Sequence, residues 1–349
     1  MKSATIRTAV AGLHPAYFGM VMATGIVSIA AHLLGLEHLS RALYALNSLL
    51  YAGLWVLYLL RMVSCPRAFF GDFADHLRGP GYFSAIAASG MLGSQALLLY
   101  GHVGGAIALW CVSVALWPML VYGIFTTLTV KETKPQLDHG INGGWLLAVV
   151  ATQSIAVLSA LLASHGGQAC RLGLNFLALS MWLWGGMLYI WLMSLMFYRY
   201  TFFQVHAGDL AAPYWIDMGA MAISTLAGAL LIANAPDAPF LEALHPFIMG
   251  VTILYWATGT WWIPMLVALS VWRHVHERYP LTYDPQYWGK VFPLGMYAVS
   301  THAMITALGL DFLDFLPRVA FAAALIAWAA TFVGWLRALL RSASARPGG

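Results

Sequence analysis

Residues 15–35 read PAYFGMVMATGIVSIAAHLLG, a stretch without a single Asp, Glu, Lys or Arg. A helix needs roughly 20 mostly apolar residues to cross about 30 Å of hydrocarbon. Similar stretches recur along the 349 residues of the chain, of which 61% are hydrophobic and only 9% are charged. Because a soluble domain carries about 25% charged residues, this composition excludes a water-soluble globule and indicates a protein embedded in a bilayer.

The apolar stretches predict an all-α integral membrane protein with ten transmembrane helices. Only helices and closed barrels satisfy their backbone groups in lipid, and these stretches lack the alternating pattern of a barrel strand. The predicted spans are 15–35, 41–63, 81–100, 103–127, 143–164, 170–198, 211–234, 243–274, 286–310 and 317–340.

The Lys and Arg residues predict the orientation of these helices. If both termini lie on one side, that side collects fourteen of the seventeen Lys and Arg residues, which the positive-inside rule assigns to the cytoplasm. We therefore expect a multi-pass protein of the cell membrane, either the inner or the plasma membrane. It would have a cytoplasmic N-terminal segment at 1–13, a transmembrane domain at 14–340 and a cytoplasmic tail at 341–349.

A pattern recurs at the start of each odd-numbered helix, where an aromatic residue in fourth place is followed by small residues. The segments are PAYFGMVMATG, PGYFSAIAASG, NGGWLLAVVAT, APYWIDMGAMA and GKVFPLGMYAV, with the aromatic residues Phe18, Phe83, Trp145, Trp215 and Phe292. Their separations of 65, 62, 70 and 77 residues indicate a repeated helical hairpin. Small residues permit close helix packing or a narrow passage, so we predict five inner helices around a central pore. Aromatic residues at helix ends are also typical of an interfacial belt.

The same arrangement predicts the charge of a permeant ion. All five inner helices would start at the cytoplasmic mouth, where their N-termini carry partial positive charge, and Lys290 would add a full charge. A cation pathway would need acidic rings, but Asp217 is the only acid inside a predicted span. The sequence therefore favours a pathway for small anions.

Three stretches resemble the tellurite-resistance and C4-dicarboxylate transporter family, which includes plant slow anion channels and fungal malic acid permeases. They are HPAYFGMVMATGIVSIAAHLLG from His14, WIDMGAMAISTLAG from Trp215 and WGKVFPLGMYAVST from Trp288. The resemblance covers about 14–340. It implies five hairpins around a central pore, a homotrimer, and a pore plug at Phe292. Pro293 follows directly, and a proline inside a helix predicts a kink there.

The predicted depth of Phe292 leaves two alternatives open. About 18 residues separate it from the outer end of its helix, or roughly 27 Å in a straight helix, which places it near the cytoplasmic third. The family's plug lies deeper in the pore. Either the helix bends at Pro293, or the assumed helix register is wrong by one turn.

The predicted function is transport of small anions, either a C4-dicarboxylate such as malate or an inorganic anion, through a pore gated by an aromatic plug. A proton-coupled dicarboxylate carrier and a tellurite-resistance exporter are the alternatives. A further alternative is a membrane protein that binds haem or quinone, because His14, His32, His245 and His302 lie in or beside helices. Zinc-protease, serine-hydrolase and paired-aspartate motifs are missing, so we expect no enzyme. We also expect no metal, no cofactor and no nucleic-acid partner.

Several side chains are candidates for the pore, each with a structural alternative. Asp217 is a proton-coupling group or an early-turn carboxylate that stabilises its helix. Lys290 attracts anions or extends to the headgroups, and His302 contacts substrate or packs. The remaining pore-lining candidates are Phe18, Phe83, Trp145, Trp215, Thr24, Ser28 and Ser89. Small polar residues of this kind also hold membrane helices together.

Overall fold

The computed structural model describes residues 10–344, with side chains described as far as Arg341. Within this range the chain forms helices and no strand, and ten helices are long and apolar enough to span a membrane. We label them α1 to α10: Pro15–Leu33, Glu37–Ser64, Gly79–Tyr100, Val103–Val130, Gly143–Ala163, Gln168–Phe202, Ala212–Ala233, His245–His276, Pro285–Leu308 and Asp311–Arg341. The all-α fold and the ten predicted spans are confirmed.

The ends of some helices differ from the prediction. Helix α2 starts at Glu37 rather than at residue 41, and α6 ends at Phe202 rather than at 198, because charged residues continue a helix beyond the apolar core that hydropathy detects. The final helix continues to Ser344, so residues 341–344 of the predicted tail are helical. Residues 1–9 of the predicted N-terminal segment and 345–349 of the tail lie outside the described residues.

The odd-numbered helices form a closed ring. Each packs against the next odd helix, and α9 packs against α1. Each even helix packs against the odd helix before it and also contacts the one after it, and α10 contacts α1 in this way. The outer faces expose large apolar side chains such as Leu49, Val319 and Ile326, as expected of surfaces that contact lipid.

A glycine lies at every joint of the inner ring. The glycines are Gly25 between α1 and α3, Gly90 between α3 and α5, Gly143 between α5 and α7, Gly219 between α7 and α9, and Gly295 between α9 and α1. At Gly295, for example, an added Cβ would lie 2.7 Å from Cγ2 of Ile26. An added Cβ would force a neighbouring atom to shift at four of these joints and would be tight at Gly90, which is the close approach expected of small residues in membrane helices.

Each odd helix opens with a short 3-10 turn, and these turns correct the predicted repeat. The turns are Pro15–Phe18, Gly79–Tyr82, Gly143–Leu146, Ala212–Trp215 and Pro285–Tyr287. In α9 the turn begins at Pro285, so PQYWGKVFPLG (285–295) corresponds to PAYFGMVMATG (15–25), with five of eleven residues identical. The counterpart of Phe18 is therefore Trp288, and Phe292 corresponds to Met22. The repeat prediction was wrong by one turn in α9 and by one residue in α5, where the turn ends at Leu146 rather than at Trp145. A match of one aromatic residue with small neighbours does not define a helix start.

Helix α9 passes through Pro293 without interruption, since Trp288–Leu308 is one α-helix. Phe292 and Pro293 are both buried. The kink at Pro293 stays a prediction. Because α9 starts one turn earlier than the predicted repeat assumed, Phe292 lies one turn further from the start of its helix than predicted.

Candidate functional site

Two cavities lie on the axis of the ring, one at each end of the odd helices. The first, which we call the N-end cavity, has a volume of about 50 Å³ and is lined by residues from the N-terminal turns of all five odd helices. The second, the C-end cavity, has a volume of about 130 Å³ and is lined by residues from the C-terminal halves of the same five helices. The ring therefore encloses space at both ends of one axis.

The residues that line the cavities follow the helical repeat. On α1 they are Ala16, Gly19 and Met22 in the N-end cavity, then Ile26, Ile29 and Leu33 in the C-end cavity. On α9 they include Gln286, Gly289 and Phe292, then Met296, Val299 and Ala303. Each residue of the second set lies 270 positions after its counterpart in the first. Steps of three and four residues keep one face of a helix toward the axis, so the two helices present equivalent faces.

The cavities are separated at the level of Phe292. They share no lining residue, and Met22 and Phe292 are the last lining residues of the N-end cavity on α1 and α9. The positions at this level of the described ring are Met22, Ala87, Val150, Gly219 and Phe292. Phe292 is the only aromatic residue among them and is 2% exposed, so its ring is the largest obstacle between the two cavities.

Fixed charge is rare along this axis. Among the described lining residues of both cavities, only His14 and His302 have ionisable side chains. His14 caps the first turn of α1, where its Nδ1 accepts a hydrogen bond from the Ala16 N–H at 3.1 Å. Burial, and then the charge of Arg78, lowers the pKa of His14, which favours the unprotonated ring that this cap requires.

The N-terminal turns of the five odd helices meet at the N-end cavity. Asn142 and Asp284 cap α5 and α9 through their side-chain oxygens, at 2.9 Å from the Gly144 N–H and 2.7 Å from the Gln286 N–H. Helix N-termini carry partial positive charge, and on α9 the carboxylate of Asp284 offsets part of it.

The four other predicted aromatic residues do not line either cavity. Phe18 packs against α2, with its ring centroid 5.0 Å from that of Tyr58 and 5.4 Å from that of Trp55. The rings of Phe83 and Trp145 lie against Phe125 of α4, at 5.7 and 6.2 Å. Trp215 lies beneath the ammonium group of Lys290, which is 4.6 Å from the ring centroid. These side chains hold helices of the ring to their neighbours.

The three predicted hydroxyl groups also face away from the axis. Thr24 accepts a hydrogen bond from Nε1 of Trp328 in α10 at 3.1 Å. Ser28 donates to the Ser40 carbonyl at 2.7 Å, and the Ser89 hydroxyl lies 2.8 Å from that of Tyr51. Both of these contacts join α2 to the inner ring, as expected of small polar residues that hold helices together.

Asp217 and Lys290 lie beside the cavities rather than in their linings. Asp217 is fully buried and faces α6, where its Oδ2 accepts a hydrogen bond from Tyr200 at 2.5 Å. Its Oδ1 has no hydrogen-bond partner among the described residues. Lys290 directly follows Gly289, which does line the N-end cavity, so its charge is close to that cavity although its side chain packs on Trp215.

A buried ion cluster that the sequence analysis missed anchors the chain before α1. Arg61 is 1% exposed and donates to Oδ2 of Asp72 at 2.7 Å, and Arg78 donates to Oδ1 at 2.8 Å. The same arginines donate to the carbonyls of Ala11 and Leu13 at 3.3 Å. This cluster positions the segment that carries His14 to the N-end cavity. Hydropathy could not identify this cluster, because Arg61 lies at the end of an apolar span, where a charged residue is ordinary.

The four histidines that were considered as haem ligands lie at different places in the fold. His14 lines the N-end cavity and His302 the C-end cavity, while Nδ1 of His32 lies 2.8 Å from the Glu37 carboxylate and His245 begins α8. Among the described residues, no group of three or more His, Cys, Asp and Glu side chains could hold a metal ion.

Comparison with known proteins identifies the family. A family model described as voltage-dependent anion channel matches residues 12–336. The chain belongs to the voltage-dependent anion channel family. An uncharacterized membrane protein of Mycobacterium tuberculosis is 40% identical over 152 residues, which cover 44% of this chain and 77% of that protein. Two uncharacterized transporters of Methanocaldococcus jannaschii are each 24% identical, over 86% and 91% of this chain and 87% and 91% of their own lengths.

Membership of the voltage-dependent anion channel family confirms the predicted resemblance and the general function. This family member is a multi-pass membrane protein with a role in anion transport. The family and the relatives named as transporters point to transport rather than to enzymatic catalysis.

Proposed function

We propose that the protein is a passive channel for small, singly charged inorganic anions, with Phe292 as the plug of the pore. The observation that carries this proposal is the pair of cavities on one axis, separated at the level of Phe292. An apolar ring in a narrow passage excludes water and ions until it moves or the passage wets. We expect the N-end cavity, with its five helix N-termini, to collect the anion before it passes the plug.

The lining favours an inorganic anion over a C4-dicarboxylate. Transfer of a charge from water to apolar surroundings costs free energy unless a partner compensates for it. The C-end cavity offers mainly Ile, Leu, Val and Met side chains, and no Lys or Arg lines either cavity among the described residues. A dicarboxylate would lose the hydration of two carboxylates there, whereas a monovalent anion loses that of one charge.

The main alternative is a proton-coupled carrier, which is favoured by the unpaired Oδ1 of the buried Asp217. An ionisable residue within a membrane is a functional candidate. Asp217→Asn tests this role, since a coupling residue should be required for any dependence of uptake on a pH gradient. We expect Asp217→Asn to retain that dependence, because the carboxylate faces α6 and not the cavities.

We further propose a homotrimer in the cell membrane with both termini in the cytoplasm. The cations Arg61, Arg78, Arg199, Arg273 and Lys290 lie toward the end of the ring with the N-end cavity, which supports a cytoplasmic position for that end. Exposed apolar faces on the outer helices provide surface for contacts between subunits. Native mass spectrometry of the purified protein would give the subunit number, and any number other than three contradicts the trimer.

Flux measurements in liposomes test the proposed function. With valinomycin and a potassium gradient to set the voltage, we expect nitrate and chloride to follow their electrochemical gradients, and malate to permeate much less. A pH gradient alone should not drive accumulation. Malate accumulation driven by a proton gradient would establish the carrier instead, and folded protein that conducts none of these anions would contradict both proposals.

A further inference from the structure

The last residues that line the C-end cavity are leucines on four of the odd helices and an alanine on the fifth. These final lining positions are Leu33, Leu98, Leu161, Leu230 and Ala303. Leu33 and Leu98 are exposed, so this level lies at the outer end of the cavity.

His302 lies beside Ala303 at this level and lines the C-end cavity. It also lines a crevice of about 10 Å³ between α1, α9 and the first turns of α10, together with Leu34 and Pro317. It is only partly buried, so a proton can reach it.

His302 is the only described residue in the lining of the C-end cavity that can carry charge. The two hydroxyl groups there are engaged, because Ser94 donates to the Gly90 carbonyl at 2.9 Å and Ser154 to the Ala151 carbonyl at 2.7 Å. No hydrogen bond joins the His302 ring to another described residue. A protonated imidazole has two N–H donors, and here both are free for a ligand.

We propose that protonated His302 is an anion-binding site in the C-end cavity, where a proton and a small monovalent anion bind together. This inference rests on the proposed function and adds its regulation. An imidazolium in an apolar cavity is costly unless an opposite charge compensates for it, so an anion stabilises the proton. By linkage, the proton increases the affinity for the anion by the same factor. Acid on this side of the membrane should therefore increase the occupancy of the pathway.

Other ionisable groups at this end lie on the elements that pack around α9. They are His32 on α1 with Glu37 on α2, Asp311, Asp314 and Arg318 on α10, Asp237 with Arg171 near the end of α7, and Glu242 and His245 before α8. None of them lines the C-end cavity. His32 is a matched control, since it is a second histidine at the same end but is paired with Glu37 at 2.8 Å.

The experiment measures nitrate flux in proteoliposomes with an internal pH of 7.5 and an external pH varied from 7.5 to 5.5. Wild-type flux should rise about fivefold, the lower end of typical coupling between sites. His302→Gln should keep the flux at pH 7.5 and lose the rise, whereas His32→Gln should keep both. Proteins inserted in the opposite orientation reduce the amplitude without removing the effect.

Two outcomes would overturn the site: a wild-type flux that does not rise with acid, and a rise that persists in His302→Gln. Neither outcome changes the flux at pH 7.5, so neither would contradict the proposed channel function. If His302→Gln fails to fold, a histidine NMR titration of the wild-type protein replaces it. Nitrate, but not gluconate, should then shift the protonation midpoint of one histidine to higher pH, and equal midpoints in both salts would reject the proposal.

Discussion

Gly219 of α7 faces the ring of Pro293 of α9 so closely that a Cβ added to the glycine would lie 2.7 Å from Cγ of the proline. Pro293 directly follows Phe292, so this contact helps to position the ring that separates the two cavities. The absence of a side chain on Gly219 therefore allows α9 to approach α7 closely beside Phe292, the residue that we propose as the plug.

We expect Gly219→Ala to lower stability and to increase the basal anion flux. The added methyl group must displace Pro293, and overpacking of this kind costs about 1–3 kcal/mol. The thermal melting temperature of the purified protein and nitrate flux in liposomes measure the two effects. Gly53→Ala is the matched control, because no atom lies within 4 Å of an added Cβ at Gly53. A Gly219→Ala protein with the melting temperature of the wild type would contradict the close contact.

Phe292→Ala should raise anion flux strongly at unchanged protein density. Removing the ring opens a passage at the level where the other positions carry only Met22, Ala87, Val150 and Gly219. Single-channel recording in planar bilayers is the direct measurement, since it separates conductance from the amount of protein.

The matched control for the plug is Phe83→Ala. Phe83 is fully buried, but its ring packs on Phe125 at 5.7 Å and lines neither cavity. This variant should lose stability, by about 3–5 kcal/mol for a buried Phe→Ala change, without a gain in conductance. Equal conductance of Phe292→Ala and the wild type in well-folded protein would remove Phe292 from the gate.

Lys290→Gln should reduce anion flux at low salt and have little effect at high salt. The ammonium group packs over Trp215 at 4.6 Å and follows the lining residue Gly289, so it acts on anions through its field rather than by contact. Screening lengths are about 30 Å at 0.01 M salt and 3 Å at 1 M. Flux measured at both ionic strengths, with Lys134→Gln as a control on an exposed lysine, checks this. A salt-independent loss would instead indicate direct contact with the anion.

Arg61→Gln should severely destabilise the protein. The change removes the buried guanidinium 2.7 Å from Asp72, which keeps Arg78 at 2.8 Å, and loss of one partner of a buried ion pair costs up to about 3–5 kcal/mol. Arg171→Gln removes a more exposed pair, with Asp237 at 3.0 Å, which should cost at most about 1 kcal/mol. Thermal melting in detergent compares the two variants, and similar melting temperatures would rule out a special contribution of the buried cluster.

The sequence predicted which residues form helices, and much about the ring, but not which side of each helix faces the axis. Apolar runs and small residues were sufficient for ten spans and for the odd helices as the inner set. By contrast, Thr24, Ser28 and Ser89 were expected at the pore and instead bind outer helices. Amphipathic patterns reveal the buried side of a surface helix, whereas a helix that is apolar all round carries little information about its rotation.

Length, hydrophobic runs and the distribution of Lys and Arg thus determined a ten-helix membrane protein, because spanning a bilayer depends on local composition alone. Only the tertiary structure identified Trp288 as the counterpart of Phe18, brought Gly219 to Pro293 and directed Phe292 into the axis. These features depend on how the helices rotate and slide against each other. The rotation and the offset of each helix depend on close packing between residues far apart in the chain, and this packing cannot be predicted from a single sequence.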